Sequence, residues 1–420
     1  MSLTLSKNKI LQFLFILCVA VPYFNNYELT FFIWFLTVSL TLRTNYSINI
    51  INQILCFLGI IIISLVSSFF YEFTVYNFIR DFTYLLKPIF GLLLGYQICK
   101  RYSNNNPLYL IIRTGVFLAI LHLIIVAFSF IFLTVRDING LRYYAGYFSD
   151  FEVYGLVFLF FSKQLGIEIS ESKRKKYILL LAVSSMFYLS RTNFIQFVLM
   201  FMALKGYFTI NKRAITVLAT FAVATILLYS AILYVNPKRN GPGIEAFLYK
   251  VKIAPTEPFK TKINKEDYKD FNDNYRSLEN ILTINQMTAE DKSTIIFGKG
   301  MGSEVKLHAE VMLDGVVFSK ISILHNGFMT IFLKSGLLGV VLLILSIVLL
   351  YRNCFYQNPM FKNINYFFIG TILFLFISYW VFMGFYFKAD TKSILIGLMI
   401  AYVENKRRQL KDKKILSQDI

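Results

Sequence analysis

A chain of 420 residues that is 56% hydrophobic and 17% aromatic carries more apolar surface than one soluble core can use, which excludes an ordinary soluble domain. Its apolar runs are long enough to cross a ~30 Å hydrocarbon layer as helices, and they are continuous, not alternating, which excludes a β-barrel. A formal charge of +19 would suggest nucleic acid in a soluble protein; here it sits beside the apolar runs, so it reads as an orientation device and no nucleic-acid partner is expected.

The first run, 10–24, follows a short basic start, and the bulky, polar "VPYFNNYE" after it offers no cleavage site, so it reads as a retained span. Further spans are expected at about 28–42, 50–70, 82–99, 108–134, 150–165, 177–190, 194–208, 214–235, 325–350, 365–387 and 391–404. The expected fold class is therefore all-α: a polytopic integral membrane protein with about 12 transmembrane helices and one large, partly helical external loop. Lys7 and Lys9, Arg43, Lys100 and Arg101, "SKRKK" at 172–176, Lys205 to Arg213, Arg352 and Lys362, and "NKRRQLKDKK" fall in every second connection. By the positive-inside bias these are cytoplasmic, as are both termini. Keeping them inside requires a turn at "SRTN" (190–193), which places Arg191 at the outer ends of two short spans.

The division expected is helices 1–9 over 1–235, an external subdomain over 236–320, helices 10–12 over 321–404 and a basic cytoplasmic tail over 405–420. The external segment holds 13 basic and 12 acidic residues, so the excess positive charge lies elsewhere. A structureless loop of that length would be unusual, and Leu278, Ile281 and Leu282 have near-helical spacing, so a small helical subdomain is expected. The four cysteines, Cys18, Cys56, Cys99 and Cys354, lie in spans or at cytoplasmic ends, so neither a disulfide framework nor a metal site is indicated.

Three histidines are available for chemistry near neutral pH. His325 stands at the mouth of the tenth span, followed by Asn326; Phe332, Gly336 and Gly339 return to its face of a straight helix, where the glycines would let a helix or a lipid chain approach. Lys334, nine residues on, is roughly 180° around and faces away. Two readings of His325 stand, an interfacial residue among headgroups or a proton acceptor. Arg191 is either a headgroup anchor or a functional cation, His122 reads as an interhelical hydrogen-bonding group, and His308 as a solvated loop residue or a substrate contact.

In the external segment, "NDNYRSLENIL" (272–282) puts Arg276 at the start of a helix, and "FGKGMGS" (297–303), with Lys299, is either a flexible turn or a phosphate cradle. "GLRYYAGYFSDFEVYG" (140–155) combines Arg142, Asp150 and Glu152 with aromatics, which suits sugar contacts and an interfacial belt equally. The candidate groups gather at the outer face and no internal repeat is visible, which disfavours a transporter.

Together these segments resemble the O-antigen polymerase (Wzy-type) and O-antigen ligase superfamily. "HNGFMTIFLKSGLLG" is similar to its His-Asn, acidic residue and Gly-x-x-Gly stretch, "LSRTN" to its Ser-Arg turn, "NYRSLENIL" with "FGKGMGS" to its loop arginine, helix and glycine-rich turn, and "RYYAGYFSD" to its Arg…Gly-x-Phe segment. Lys334 departs from the pattern, because the family has an acidic residue there. The resemblance implies a GT-C-like, metal-independent, inverting glycosyltransferase without a cofactor, multi-pass in the bacterial inner membrane. Its implied partners are undecaprenyl-diphosphate-linked oligosaccharide, membrane lipid and a chain-length regulator protein. Carried onto matching positions, Arg191 and Arg276 would bind the diphosphate and His325 would act on the acceptor hydroxyl; Arg142, Asp150, Lys299, His308 and Asn326 are further candidate contacts. A ligase with the same donor and a flippase without chemistry are the rival readings.

Overall fold

The computed structural model describes residues 6–24, 26–102, 106–135, 138–145, 150–188, 190–209, 212–239, 241, 244–257, 260–264, 267–313, 316–351 and 361–416. The elements in chain order are α1 (Lys7–Ala20), α2 (Tyr27–Leu40), α3 (Ile48–Ser68), α4 (Val75–Arg101), α5 (Leu108–Ile131), α6 (Ile138–Ala145), α7 (Asp150–Phe160), α8 (Glu171–Tyr188), α9 (Arg191–Leu204) and α10 (Lys212–Val235). They continue with α11 (Glu245–Ile253), α12 (Tyr268–Asp273), α13 (Tyr275–Thr288), α14 (Lys292–Phe297), β1 (Val305–Leu313), β2 (Val316–Ile321), α15 (Gly327–Tyr351), α16 (Lys362–Phe382) and α17 (Lys392–Leu416).

Every expected span falls on a helix, because a continuous apolar run can satisfy its backbone polar groups internally in that form. Seven of these stretches are long and apolar enough to cross a bilayer: Lys7–Phe24, Ile48–Ser68, Val75–Arg101, Leu108–Ile131, Lys212–Val235, Gly327–Tyr351 and Lys362–Phe382. The others, on α2, α7, α8, α9 and α17, are shorter or more charged. α7 has 11 residues, or ~16 Å, about half a hydrocarbon thickness.

The core is built around α4 and α17. From Ile394 to Val403 almost every α17 side chain is buried, as expected of a helix that is apolar all round. Glycine makes this contact close: a Cβ on Gly95 would collide with the Ile394 carbonyl, and one on Gly397 with the Leu92 carbonyl. α10 is the opposite case. Ala214 is its one buried residue, and Phe221, Val223, Ile226, Leu227 and Leu228 face outward, where hydrocarbon would cover them.

Several expectations are corrected. The 236–320 segment is not helical alone: β1 and β2 form an antiparallel hairpin, pairing Val305 with Ile321 and Leu313 with Val316. The basic segment expected over 405–420 continues the last helix, since α17 runs on to Leu416. α15 is not straight. Gly336 leaves the helical region at φ 63°, ψ −163°, and a Cβ there would strike the backbone of Ile296 and Phe297 in α14.

Ionisable groups are also not confined to one face. Asp150, Lys392, Asp390 and Lys87 are all buried inside the bundle. Lys392 Nζ lies 3.2 Å from Asp150 Oδ2 and 2.5 Å from Asp390 Oδ1, while Lys87 Nζ donates to the Phe387 and Lys388 carbonyls at 2.6 and 2.7 Å. His122 behaves as expected, with Nδ1 2.8 Å from Ser184 Oγ on α8. That hydroxyl donates to Glu152 on α7, which also accepts from Tyr188 at 3.0 Å.

Candidate functional site

α13 lies between the hairpin and the first turns of α15. Leu278 packs with Phe271 and Leu307 on one side, while Leu282 and Met287 join Val305, Leu324 and Leu333 on the other. Burying these apolar positions fixes the rotation of α13, so that Glu279 turns toward the chain entering α15.

There Glu279, 1% exposed, meets His325. Its Oε2 accepts the His325 backbone N–H at 2.9 Å, and its Oε1 lies 2.9 Å from His325 Nδ1. The imidazole is 45% exposed, so one edge is held and the other is open. The Tyr275 ring meets it edge to face with centroids 5.9 Å apart. Burial, with the Glu279 charge adding to it, holds the Tyr275 phenol well above its ordinary value, and its hydroxyl has no hydrogen-bond partner among the described residues. The His325 carbonyl accepts from Met383 N–H at 3.0 Å, tying the site to the turn after α16.

Asn326 is the N-cap of α15. Its Oδ1 accepts the N–H groups of Phe328 and Met329 at 3.0 and 3.2 Å, and it is 2% exposed. That capping commits its oxygen to the helix, while its buried Nδ2 has no partner among the described residues.

Arg276 stands one turn before Glu279 on α13, with Nη1 3.7 Å from Glu257 Oε1. Arg191 opens α9 after Ser190, whose Oγ accepts from Asn193 N–H at 3.4 Å, and its Nη1 donates to the Lys250 carbonyl at 2.7 Å. One short segment, 250–257, therefore touches both arginines: Arg276 shares α13 with the partner of His325, and Arg191 is tied in through the other end of that segment. Guanidinium groups can bind an anion and an open imidazole can accept a proton.

The glycine-rich turn does something else. Gly298 N–H donates to Thr294 O at 2.8 Å, Lys299 N–H to Leu333 O at 2.8 Å and Gly300 N–H to Lys334 O at 3.0 Å. Met301 N–H goes to Ser68 Oγ and Gly302 N–H to Asp81 Oδ2, both at 2.7 Å. The N–H groups a phosphate would need are thus spent on α3, α4, α14 and α15, and the turn clamps the subdomain to the bundle. Its glycines 298, 300 and 302 have φ near +80°, which opens the backbone to these partners. Lys299 ion-pairs with Glu290 and lies over the Tyr71 ring.

Asp150 heads α7 as a buried partner of Lys392 and Gln196, not as a group on an external segment. Arg142 lies on α6 and His308 on β1; their side chains are outside the described residues. Glu279 and Asp81 are the residues that sequence reasoning passed over. Asp81, in "IRDF" at the edge of the span expected at 82–99 and inside α4, could have been found, because an ionisable residue inside an apolar helix is a functional or pairing position by default. Glu279 offered a weaker signal, a carboxylate one helical turn after Arg276.

No family model, curated protein or solved structure matches the chain.

Proposed function

We propose that this protein is a polymerase of lipid-linked oligosaccharide repeat units, of the Wzy type, with about twelve spans, both termini cytoplasmic and segment 236–320 outside the inner membrane. The observation that carries the reading is the half-exposed His325 anchored to α13, with Arg276 one turn away on the same helix. The motif resemblance supplies the substrate class, undecaprenyl-diphosphate-linked glycan.

The acceptor hydroxyl oxygen attacks the anomeric carbon of the donor sugar while the bond from that carbon to the diphosphate oxygen breaks. The hydroxyl proton passes to His325, a contribution of ~10²–10⁴-fold. Charge grows on the leaving diphosphate, where Arg191 and Arg276 provide fixed donors. Attack opposite the leaving group inverts the anomeric centre.

Purified protein in nanodiscs, given lipid-linked repeat units alone, is expected to yield a ladder that His325→Ala, Arg191→Ala and Arg276→Ala each abolish or cut at least tenfold. Product only after a different acceptor is added would make it a ligase. A second reading has an observation of its own: the buried Lys87, Asp150, Asp390 and Lys392 are the kind of intramembrane charges that transporters use. If Asp150→Asn leaves lipid-linked units trapped on the cytoplasmic side of membrane vesicles, transport replaces polymerisation.

A further inference from the structure

We infer that Glu279 is a positioning residue: it holds His325 in the Nδ1–H tautomer, so that Nε2 is the atom that takes the proton. The inference rests on the polymerase reading for its kinetic consequence, and on geometry alone for the tautomer.

An ionised carboxylate has lone pairs and no hydrogen to give, so with Glu279 charged the 2.9 Å contact places the hydrogen on Nδ1. A neutral imidazole with Nδ1–H carries its free lone pair on Nε2. Glu279 grips the residue twice, through the ring and through its backbone N–H, which fixes both where His325 sits and how the ring is turned. The carboxylate is itself held in place: its side chain is buried, it sits on a helix pinned by Leu278 and Leu282, and its backbone carbonyl accepts from Thr283 Oγ1 at 2.7 Å. When Nε2 accepts the acceptor's proton, the imidazolium that forms already faces its counter-charge, and no side chain has to move. The Tyr275 ring packs against the imidazole at 85° to it.

The tautomer can be read without any substrate. The full-length protein, labelled with ¹⁵N in histidine and held in lipid nanodiscs, has three histidines, and the His325 signals are identified by their loss in His325→Gln. The expected result is a protonated Nδ1 and an unprotonated Nε2, with Glu279→Gln shifting His325 toward the Nε2–H form. In the ladder assay the same substitution is expected to lower kcat by at least about tenfold with KM little changed, and Glu279→Asp to recover part of it. Wild-type His325 in the Nε2–H form would overturn the proposal, as would a Glu279→Gln protein whose tautomer and kcat both stay put. Elongation by His325→Gln at the wild-type rate would overturn the role of Nε2, and with it the base in the polymerase reading, while leaving the measured tautomer intact.

Discussion

Lys334 Nζ lies 2.6 Å from Asp81 Oδ2, and both side chains are 1% exposed. A lysine on α15 thus takes its carboxylate from α4. Asp81 also accepts from Gly302 N–H and from the neighbouring Arg80, and Lys334 has a second acceptor, the Ser303 carbonyl. Bundle and subdomain are thus joined by one buried charge pair with its remaining valences filled.

Removing Lys334 takes from Asp81 its buried cation and leaves it the partly exposed Arg80 and the Gly302 N–H. Lys334→Met is expected to cost about 1–3 kcal/mol, and the double substitution with Asp81→Leu less than the sum of the two singles. Unfolding in mixed micelles checks this. Simple additivity would mean that the two residues act independently.

Gly336→Ala is expected to destabilise by about 1–3 kcal/mol, since it demands a positive φ from alanine and drives a methyl group into the α14 backbone. Loss of folded protein on heating in detergent measures it. Wild-type stability would show that α15 straightens freely.

Ser184 joins His122 to Glu152 inside the bundle. Ser184→Ala removes both contacts at once and is expected to cost about 1–3 kcal/mol, because two buried polar groups lose a partner. Since the network lies away from α13, ladder length per folded molecule should not change; a selective loss of elongation would assign the network a role in the reaction.

Orientation is open to direct labelling. With Cys354→Ser to remove the one cysteine outside the described residues, Lys262→Cys in the subdomain should react with an impermeant maleimide in intact cells. Lys175→Cys should react after permeabilisation alone. The reverse pattern would invert the topology read from charge.

Much of the architecture was legible because hydrophobic runs act locally. Each expected span falls on a helix, and α8 ends at Tyr188 before α9 begins at Arg191, close to the turn expected at 190–193. The hairpin was legible too, and was missed: Asp314-Gly315 stands between two valine-rich runs, the strongest short-range hairpin signal, inside a segment read for helical spacing.

The amino-acid sequence by itself determined the apolar, helical character of the chain and the helix positions, since composition and periodicity fix how each segment meets lipid or water. Tertiary structure alone decided the pairings. His325 meets Glu279 across 46 residues, and Lys334 meets Asp81 across two separate helices, because packing brings them together. A straight-helix projection gave Lys334 a direction and no partner; the partner came from α4. The glycine-rich turn shows the same division. Its composition permits a phosphate cradle, but the fold points each of its N–H groups from Gly298 to Gly302 at a protein acceptor, and a donor already satisfied has nothing left for a ligand.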